Sequence, residues 1–177
     1  MMRPMRSASL AALALLLVQA AAAADVVSKR DIEAALSHSG AADDAEPKPK
    51  TRGIVIKAVE DKKEVIDLNI PFEINSDRLQ PQAVAQLEQL DAALKSAALG
   101  RSRFEIAGHT DSSGDAEYNR RLSLRRAETV RRFLISRGVS AQRLVATGFG
   151  KDHPLTPEDP ANAANRRVEI RNLGVAP

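Results

Sequence analysis

One stretch, Phe104–Leu134, changes its hydrophobic period midway and therefore constrains the fold more than any other part of the chain. Up to Gly108, apolar residues alternate with charged or small ones, which is typical of a half-buried β-strand. After a polar turn, apolar residues return at roughly helical spacing, at Leu122, Ala127, Val130 and Leu134. The stretch therefore predicts a strand, a turn and an amphipathic helix in direct succession.

Two opposite charges flank this turn. Asp111 follows the strand, and Arg126 stands fifteen residues later beside Ala127, at the border of the buried stripe. Asn119 precedes Arg126 by seven residues, so two helical turns bring both to one side of the helix. A strand–turn–helix reversal can bring Asp111 and Arg126 to the opening of one pocket. There a carboxylate would bind an ammonium group and a guanidinium a carboxylate, as a zwitterionic ligand requires.

Both charges also have an ordinary structural interpretation. Asp111 could cap the helix or stabilise the turn. Arg126 shares its helix with six other arginines, most of which should form a solvated face with Glu117 and Glu128. The pattern alone leaves these alternatives open.

The rest of the chain alternates strands and helices around this unit. Strands are predicted at 54–56, 65–70, 103–108, 144–148 and 167–173, with inward-facing Val168 and Ile170 in the last. One helix should begin near Pro81 and the other should span 117–137 and end at Gly138. The first helix has a predicted buried stripe of Val84, Leu87, Leu90 and Leu94. We therefore expect an α/β sandwich, with two main helices packed on one face of a mixed four- to five-stranded sheet.

The N-terminal quarter has a different character. Residues 1–24 read as a secretory signal peptide, with basic Arg3 and Arg6, an apolar centre and small residues before a cut after Ala24. An uncleaved membrane anchor is the alternative, although the apolar run is short for a ~30 Å hydrocarbon core. Residues 25–52 are expected to be a flexible tether, in which 25–37 could form a short helix, and residues 53–177 the folded domain.

Composition excludes several classes of function. The formal charge is +3, and removal of Arg3 and Arg6 with the signal leaves about +1. This balance, together with only 3% aromatic residues and the export signal, argues against a nucleic-acid partner. The chain contains no cysteine, so neither disulfides nor thiolate metal sites are available.

A longer motif contains these residues. It consists of Gly108-His109-Thr110-Asp111, Gly114, Tyr118-Asn119, Leu122-Ser123, Arg126-Ala127 and Asn165-Arg166-Arg167-Val168. This motif resembles the OmpA-like C-terminal domain over about residues 64–172. The resemblance implies non-covalent, non-catalytic binding of the peptidoglycan of Gram-negative cell walls, without a cofactor. It further implies that Asp111 contacts the diaminopimelate residue of the stem peptide and that Arg126 binds the adjacent carboxylate.

Further positions take roles from the same resemblance. Arg166 would line the pocket, although it could instead be a strand-end charge that pairs with an acidic neighbour. Leu122 is expected in the core or as the pocket floor. One departure affects the rim, since Asn162 stands where family members commonly carry another arginine. The remaining expected ligand contacts are Asn119, Asn75, Ser113 and Thr110.

Other functions remain as alternatives. The tether could recruit an outer-membrane or other envelope protein, which would make the chain a periplasmic adaptor that uses the wall as its anchor. His109-Thr110-Asp111 could begin the metal site of a hydrolase, but no further His or Cys stands at ligand spacing, so His109 is expected to be a structural hydrogen-bonding residue. Gly148-Phe149-Gly150 lacks the Lys-Ser/Thr that follows in a phosphate-binding loop.

Overall fold

The strands and helices follow one another in the predicted order. The computed structural model describes residues 26–37 and 64–175. Short 3-10 turns lie at Ala141–Arg143 and Ala163–Asn165. The predicted signal peptide, the strand at 54–56 and most of the tether lie outside the described residues. The elements are α1 (Lys29–Leu36), β1 (Val65–Leu68), α2 (Ala83–Leu94), β2 (Ser102–His109), α3 (Ala116–Ser136), β3 (Leu144–Gly150) and β4 (Val168–Val175).

Within the described ranges the strands form one mixed sheet in the order β1-β4-β2-β3. β4 lies antiparallel to both β1 and β2, whereas β3 is parallel to β2. A parallel pair needs a long crossover, and α3 provides it. The mixed α/β sandwich predicted from the sequence is confirmed.

One face of the sheet is apolar and packs against the helices. Ile170 is the register partner of both Ile66 and Ile106, and all three are fully buried. The predicted stripe of α3 is also buried. The predicted stripe of α2 is wrong at its start, because Val84 is 37% exposed and Ala83 is buried in its place. The inward face of α2 therefore runs through Ala83, Leu87, Leu90 and Leu94.

Residues 26–37 belong to this core, which corrects the start of the predicted tether. Ile32 and Leu36 of α1 are fully buried. The Gln86 side chain accepts a hydrogen bond from the Val27 N–H (2.7 Å) and donates one to the Val27 carbonyl (3.1 Å). Asn172 donates to the Leu36 carbonyl at 2.7 Å. The physical reason is that α1 buries its two large apolar side chains against elements that are distant in sequence.

Two glycines let α3 lie directly on the strand ends. A Cβ atom on Gly108 would come within 2.1 Å of the Ser123 carbonyl oxygen, and one on Gly148 within 2.5 Å of the Leu124 nitrogen. Only glycine permits this approach. As a result, the start of α3 is placed above the end of β2, where Asp111 follows. Gly138 ends α3 with φ 99°, as predicted.

The other face of the sheet carries alternating charges. Arg167 pairs with Asp67 at 2.6 Å and with Glu169 at 3.3 Å. Arg171 pairs with Glu169 at 2.5 Å and with Glu105 at 2.6 Å. These ion pairs join residues on three strands. Because the arginines and the acidic side chains neutralise one another, they can lie largely buried.

Candidate functional site

A cleft of about 670 Å³ opens beside the end of β1. Its volume is in the range of pockets that hold small-molecule ligands. One wall comes from β1 and the residues after it, and the other from the loop before β4. The lining residues are Asp67, Leu68, Asn69, Ile70, Pro71, Phe72, His109, Arg126, Leu155, Thr156, Ala163, Ala164, Arg166 and Arg167.

Arg126 is held at the cleft by two contacts. Its Nε donates to the Ser76 carbonyl at 2.9 Å, and its guanidinium carbon lies 5.0 Å from the centre of the Phe72 ring. Within residues 26–37 and 64–175, no carboxylate lies within salt-bridge distance of Arg126. Burial lowers its pKa, as does nearby Arg166, while Tyr118 and Asp111 oppose the shift. An arginine stays charged after such a shift, so Arg126 presents two terminal amino groups for an anion.

Asp111 is anchored at the turn after β2. Its Oδ2 accepts a hydrogen bond from Arg166 Nη1 at 2.8 Å, and its Oδ1 accepts one from the Ser113 N–H at 3.0 Å. Partial burial alone would raise the pKa of Asp111, but the hydrogen bonds from Arg166 and Ser113 outweigh it and hold the pKa below its ordinary value. Asp111 is therefore an anion at neutral pH, with 15% of its side chain exposed.

Asp111 lies close enough to Arg126 for its negative charge to raise the pKa of Arg126, although burial lowers that pKa more. Their arrangement differs from a simple pair, because the direct ionic partner of Asp111 is Arg166. Asp111 itself is not part of the cleft lining and reaches the cleft through this bond. Arg126 and Arg166 thus share the site with Asp111, and the negative charge of Asp77 also raises the pKa of Arg126.

Asn119 and Ser113 shape the turn that holds Asp111. Asn119 is 5% exposed and donates from Nδ2 to the Ser113 carbonyl at 2.7 Å. This bond ties the first turn of α3 to the residue whose N–H supports Asp111. The helix cap is Asp115, which accepts from the Tyr118 N–H, so Asp111 stabilises the turn and does not cap α3.

The other predicted contacts, Asn75, Thr110 and Leu122, are not among the residues that line the cleft. Asn75 is exposed with φ 51°, and it precedes the Ser76 carbonyl that receives the Arg126 bond. Thr110 is 5% exposed, and its hydroxyl has no hydrogen-bond partner among the described residues. Leu122, one turn before Arg126, is 4% exposed and lies outside the main apolar core. Whether these residues contact a ligand stays a prediction.

His109 lines the cleft, whereas the sequence predicted only a structural hydrogen bond for it. It is 2% exposed and stacks on Phe149 with ring centres 5.4 Å apart. In the described part of the chain, neither ring nitrogen has a hydrogen-bond partner, so the expected structural hydrogen bond is wrong. Burial, together with smaller contributions from the charges of Arg167, His153 and Arg171, lowers its pKa to about 3, so the ring is neutral at physiological pH. Its position at the last residue of β2 was the available signal.

The loop before β4 explains the departure at Asn162. The Asn162 side chain accepts from the Ala164 N–H and donates to Asp159, both at 2.9 Å, so it is used within its own loop. The buried Asn165 side chain holds the same loop, accepting from the Leu155 N–H at 2.7 Å and donating to the Pro160 carbonyl at 3.0 Å. Small residues, Ala163 and Ala164, form the wall there.

Metal-ligating residues do not gather at the cleft. Across the described residues there is no group of three or more His, Cys, Asp or Glu side chains placed to hold a metal ion. A search of the same residues finds no helix with the length and apolar character needed to cross a membrane.

Part of this chain matches a known family and two curated relatives. The model of the OmpA family matches residues 71–167. The peptidoglycan-associated lipoprotein of Pseudomonas aeruginosa is 37% identical over 102 residues, which are 56% of this chain and 59% of that protein. Outer membrane porin F of Pseudomonas fluorescens is 33% identical over 106 residues, or 59% of this chain and 32% of that protein. The match thus spans about a third to three fifths of these relatives.

One solved structure is similar to this chain in both fold and sequence. The crystal structure of the peptidoglycan-associated lipoprotein from Burkholderia pseudomallei superimposes with a TM-score of 0.51 and 34% identity. The match covers 58% of this chain and 87% of that one.

Proposed function

The chain belongs to the OmpA family, and from this premise we propose that it binds peptidoglycan without covalent chemistry or catalysis and so anchors or links the cell envelope. The ligand group is the diaminopimelate residue of the stem peptide. Similarity to two proteins named for peptidoglycan association supports the wall as the target.

The observation that carries the proposal is that Arg126 lines the cleft without a carboxylate partner among the described residues and lies near an ionised Asp111. A guanidinium can bind both oxygens of a carboxylate at once. An ionised carboxylate has about four acceptor positions, so Asp111 retains capacity for an ammonium after the bonds from Arg166 and Ser113. The two groups then bind the carboxylate and the ammonium of a single amino-acid centre.

Arg166 has a positioning role in this mechanism. Its bond of 2.8 Å fixes the orientation of Asp111 and keeps the carboxylate charged. Its own charge adds to that of Arg126 and favours a ligand that brings an additional carboxylate.

Specificity follows from the second amino-acid centre of diaminopimelate. A stem peptide with lysine in its place lacks the side-chain carboxylate, so Arg126 would lose its partner and the peptide should bind more weakly. A hydrogen bond to a charged group contributes about 1.5–3 kcal/mol, so loss of either contact should weaken binding about tenfold or more.

Co-sedimentation with purified diaminopimelate-type sacculi tests the proposal. The wild-type chain should pellet with the wall, and Asp111→Ala and Arg126→Ala should remain mostly in solution. Arg125→Ala is the matched control, because Arg125 is the adjacent arginine on α3 and is not part of the cleft. Unchanged pelleting of both site variants would reject the assigned site.

The location is part of the same proposal. We place the protein in the periplasm after removal of residues 1–24, next to the outer membrane. The names of the two curated relatives, an outer membrane porin and a peptidoglycan-associated lipoprotein, support an envelope location. N-terminal sequencing of the protein from an envelope fraction would test the cut after Ala24.

A further inference from the structure

The loop before β4 forms one wall of the cleft but buries none of its own side chains before Asn165. Residues 151–164 are all exposed or half-buried, and three of them are prolines, which lack an N–H group. Ala163 and Ala164 from this loop line the cleft. Without apolar packing, such a loop depends on hydrogen bonds to keep one shape.

Asn165 provides these bonds from a fully buried position. Its Oδ1 accepts from the N–H groups of Leu155 at 2.7 Å and Thr156 at 3.1 Å. Its Nδ2 donates to the carbonyl groups of Asp159 at 3.1 Å and Pro160 at 3.0 Å. One carboxamide thus joins the first and last parts of the loop and uses both its donor and its acceptor capacity.

The Pro160 carbonyl connects this loop to the turn that holds Asp111. The same carbonyl accepts a second hydrogen bond, from the Ser112 N–H at 2.9 Å, and Ser112 directly follows Asp111. Asn165 directly precedes Arg166, whose Nη1 donates to Asp111 Oδ2 at 2.8 Å. The loop and the turn are therefore joined twice, once at the Pro160 carbonyl and once by the ion pair.

The ion pair depends on where the backbone of Arg166 lies. Half of the Arg166 side chain is exposed, so packing restrains it only in part. Its N–H donates to the Ala163 carbonyl at 3.0 Å, so its backbone continues the 3-10 turn that ends at Asn165. An exposed arginine loses rotamer freedom when it forms an ion pair, and a backbone already placed beside the partner makes the pair more favourable.

We propose that Asn165 is a positioning residue of the ligand site, which holds the loop before β4 against the turn after β2 and so places Arg166 beside Asp111. This inference rests on the proposed function, because Asp111 is the residue that binds the ammonium group of the ligand. Asn165 is not part of the cleft lining, so it acts through Arg166. Without Asn165, the Asp111 carboxylate loses part of its fixed orientation.

NMR titration of the Asp111 carboxyl group in the full chain, without ligand, tests this. The hydrogen bond from Arg166 helps to hold the pKa of Asp111 below its ordinary value. Asn165→Ala should therefore raise the pKa of Asp111 toward that value. Arg166→Ala should raise it as well, and the double variant should match Arg166→Ala alone, because Asn165 acts through Arg166.

Two other variants separate positioning from stability. Asn172→Ala is the matched control, since Asn172 also joins distant segments, donating to the Leu36 carbonyl at 2.7 Å, and is not part of the cleft lining. It should lower the melting temperature and leave the pKa of Asp111 unchanged. Thr156→Val removes only the hydroxyl that accepts from Asn165 Nδ2 at 3.1 Å, so it should fold even if Asn165→Ala does not. It should raise the pKa of Asp111 by a smaller amount.

Calorimetry with a soluble stem tetrapeptide that contains diaminopimelate relates the effect to binding. Asn165→Ala should bind about 2- to 12-fold more weakly than the wild type, the range for one weakened hydrogen bond, and Asn172→Ala should bind as tightly as the wild type. An unchanged pKa of Asp111 in Asn165→Ala and Thr156→Val, or an equal shift in Asn172→Ala, would overturn the positioning role while the proposed function stands. Failure of the wild type to bind the peptide, with the pKa shifts as expected, would instead overturn the proposed function.

Discussion

Replacing Arg126 with lysine separates the shape of the guanidinium from its charge. In the structure, the Nε of Arg126 donates to the Ser76 carbonyl at 2.9 Å, and Arg126 lines the cleft, so its two terminal amino groups remain available for an anion. Lysine keeps the positive charge, but its single ammonium cannot bond to the Ser76 carbonyl and to both oxygens of the ligand carboxylate at the same time. The variant should therefore lose one charge-assisted hydrogen bond to the ligand, about 1.5–3 kcal/mol. This corresponds to binding that is about 10- to 150-fold weaker.

Calorimetry with free meso-diaminopimelate measures this loss. Arg125→Lys is the matched control, since it makes the same chemical change one residue away, at a position that is also partly buried but outside the cleft lining. Thermal unfolding of both variants should show that each is folded at the titration temperature. The reasoning would be refuted if Arg126→Lys bound as tightly as the wild type, or if Arg125→Lys lost as much affinity.

Three further predictions concern charge and packing. The pKa of Asp111 is lowered in the fold, so its stabilising contribution is present above the ordinary aspartate value near 4 and is lost as pH falls through the lowered pKa. Denaturant unfolding of wild type and Asp111→Asn should therefore differ at pH 7 and converge below about pH 4; a constant difference would contradict this. The pKa of His109 falls from 6.5 to about 3, so protonation of the unfolded chain should reduce wild-type stability as pH falls through that interval. His109→Phe should show a shallower decline in denaturant titrations, and an equal slope would argue against a buried neutral ring. Gly108→Ala should destabilise the fold by about 1–3 kcal/mol, because the new methyl group would meet the Ser123 carbonyl oxygen at 2.1 Å. A melting temperature equal to that of the wild type would disprove this close approach.

The parts of the fold that the sequence predicted well are those with a clear period. The buried stripe of α3, from Leu122 to Leu134, follows from apolar residues at helical spacing in one continuous segment. The burial of α1 could not be predicted from local spacing, because the contacts that hold this segment join residues far apart in the sequence. Val27, just before α1, bonds to Gln86, which is 59 residues away. Local pattern does not reveal which distant element will cover a short helix.

The candidate site, too, could be predicted only in part. The approach of Asp111 to Arg126 could be predicted, because one strand–turn–helix unit carries both. The bond between Asp111 and Arg166 spans 55 residues and depends on how β4 is placed beside β2, which the sequence does not specify. Likewise, the sequence showed that Gly148 lacks a phosphate-loop signature. It did not show that α3 approaches this glycine closely, which only the structure reveals.

Displacement of the protein from sacculi tests the central claim most directly. The chain is first bound to diaminopimelate-type sacculi, and a soluble stem tetrapeptide with diaminopimelate, or one with lysine in its place, is then added at matched concentration. Capture of one zwitterionic centre by Asp111 and Arg126 together predicts that the diaminopimelate peptide releases the protein, and that the lysine peptide, whose side chain has no carboxylate, releases far less. Equal release by both compounds, or retention in the presence of both, would contradict it.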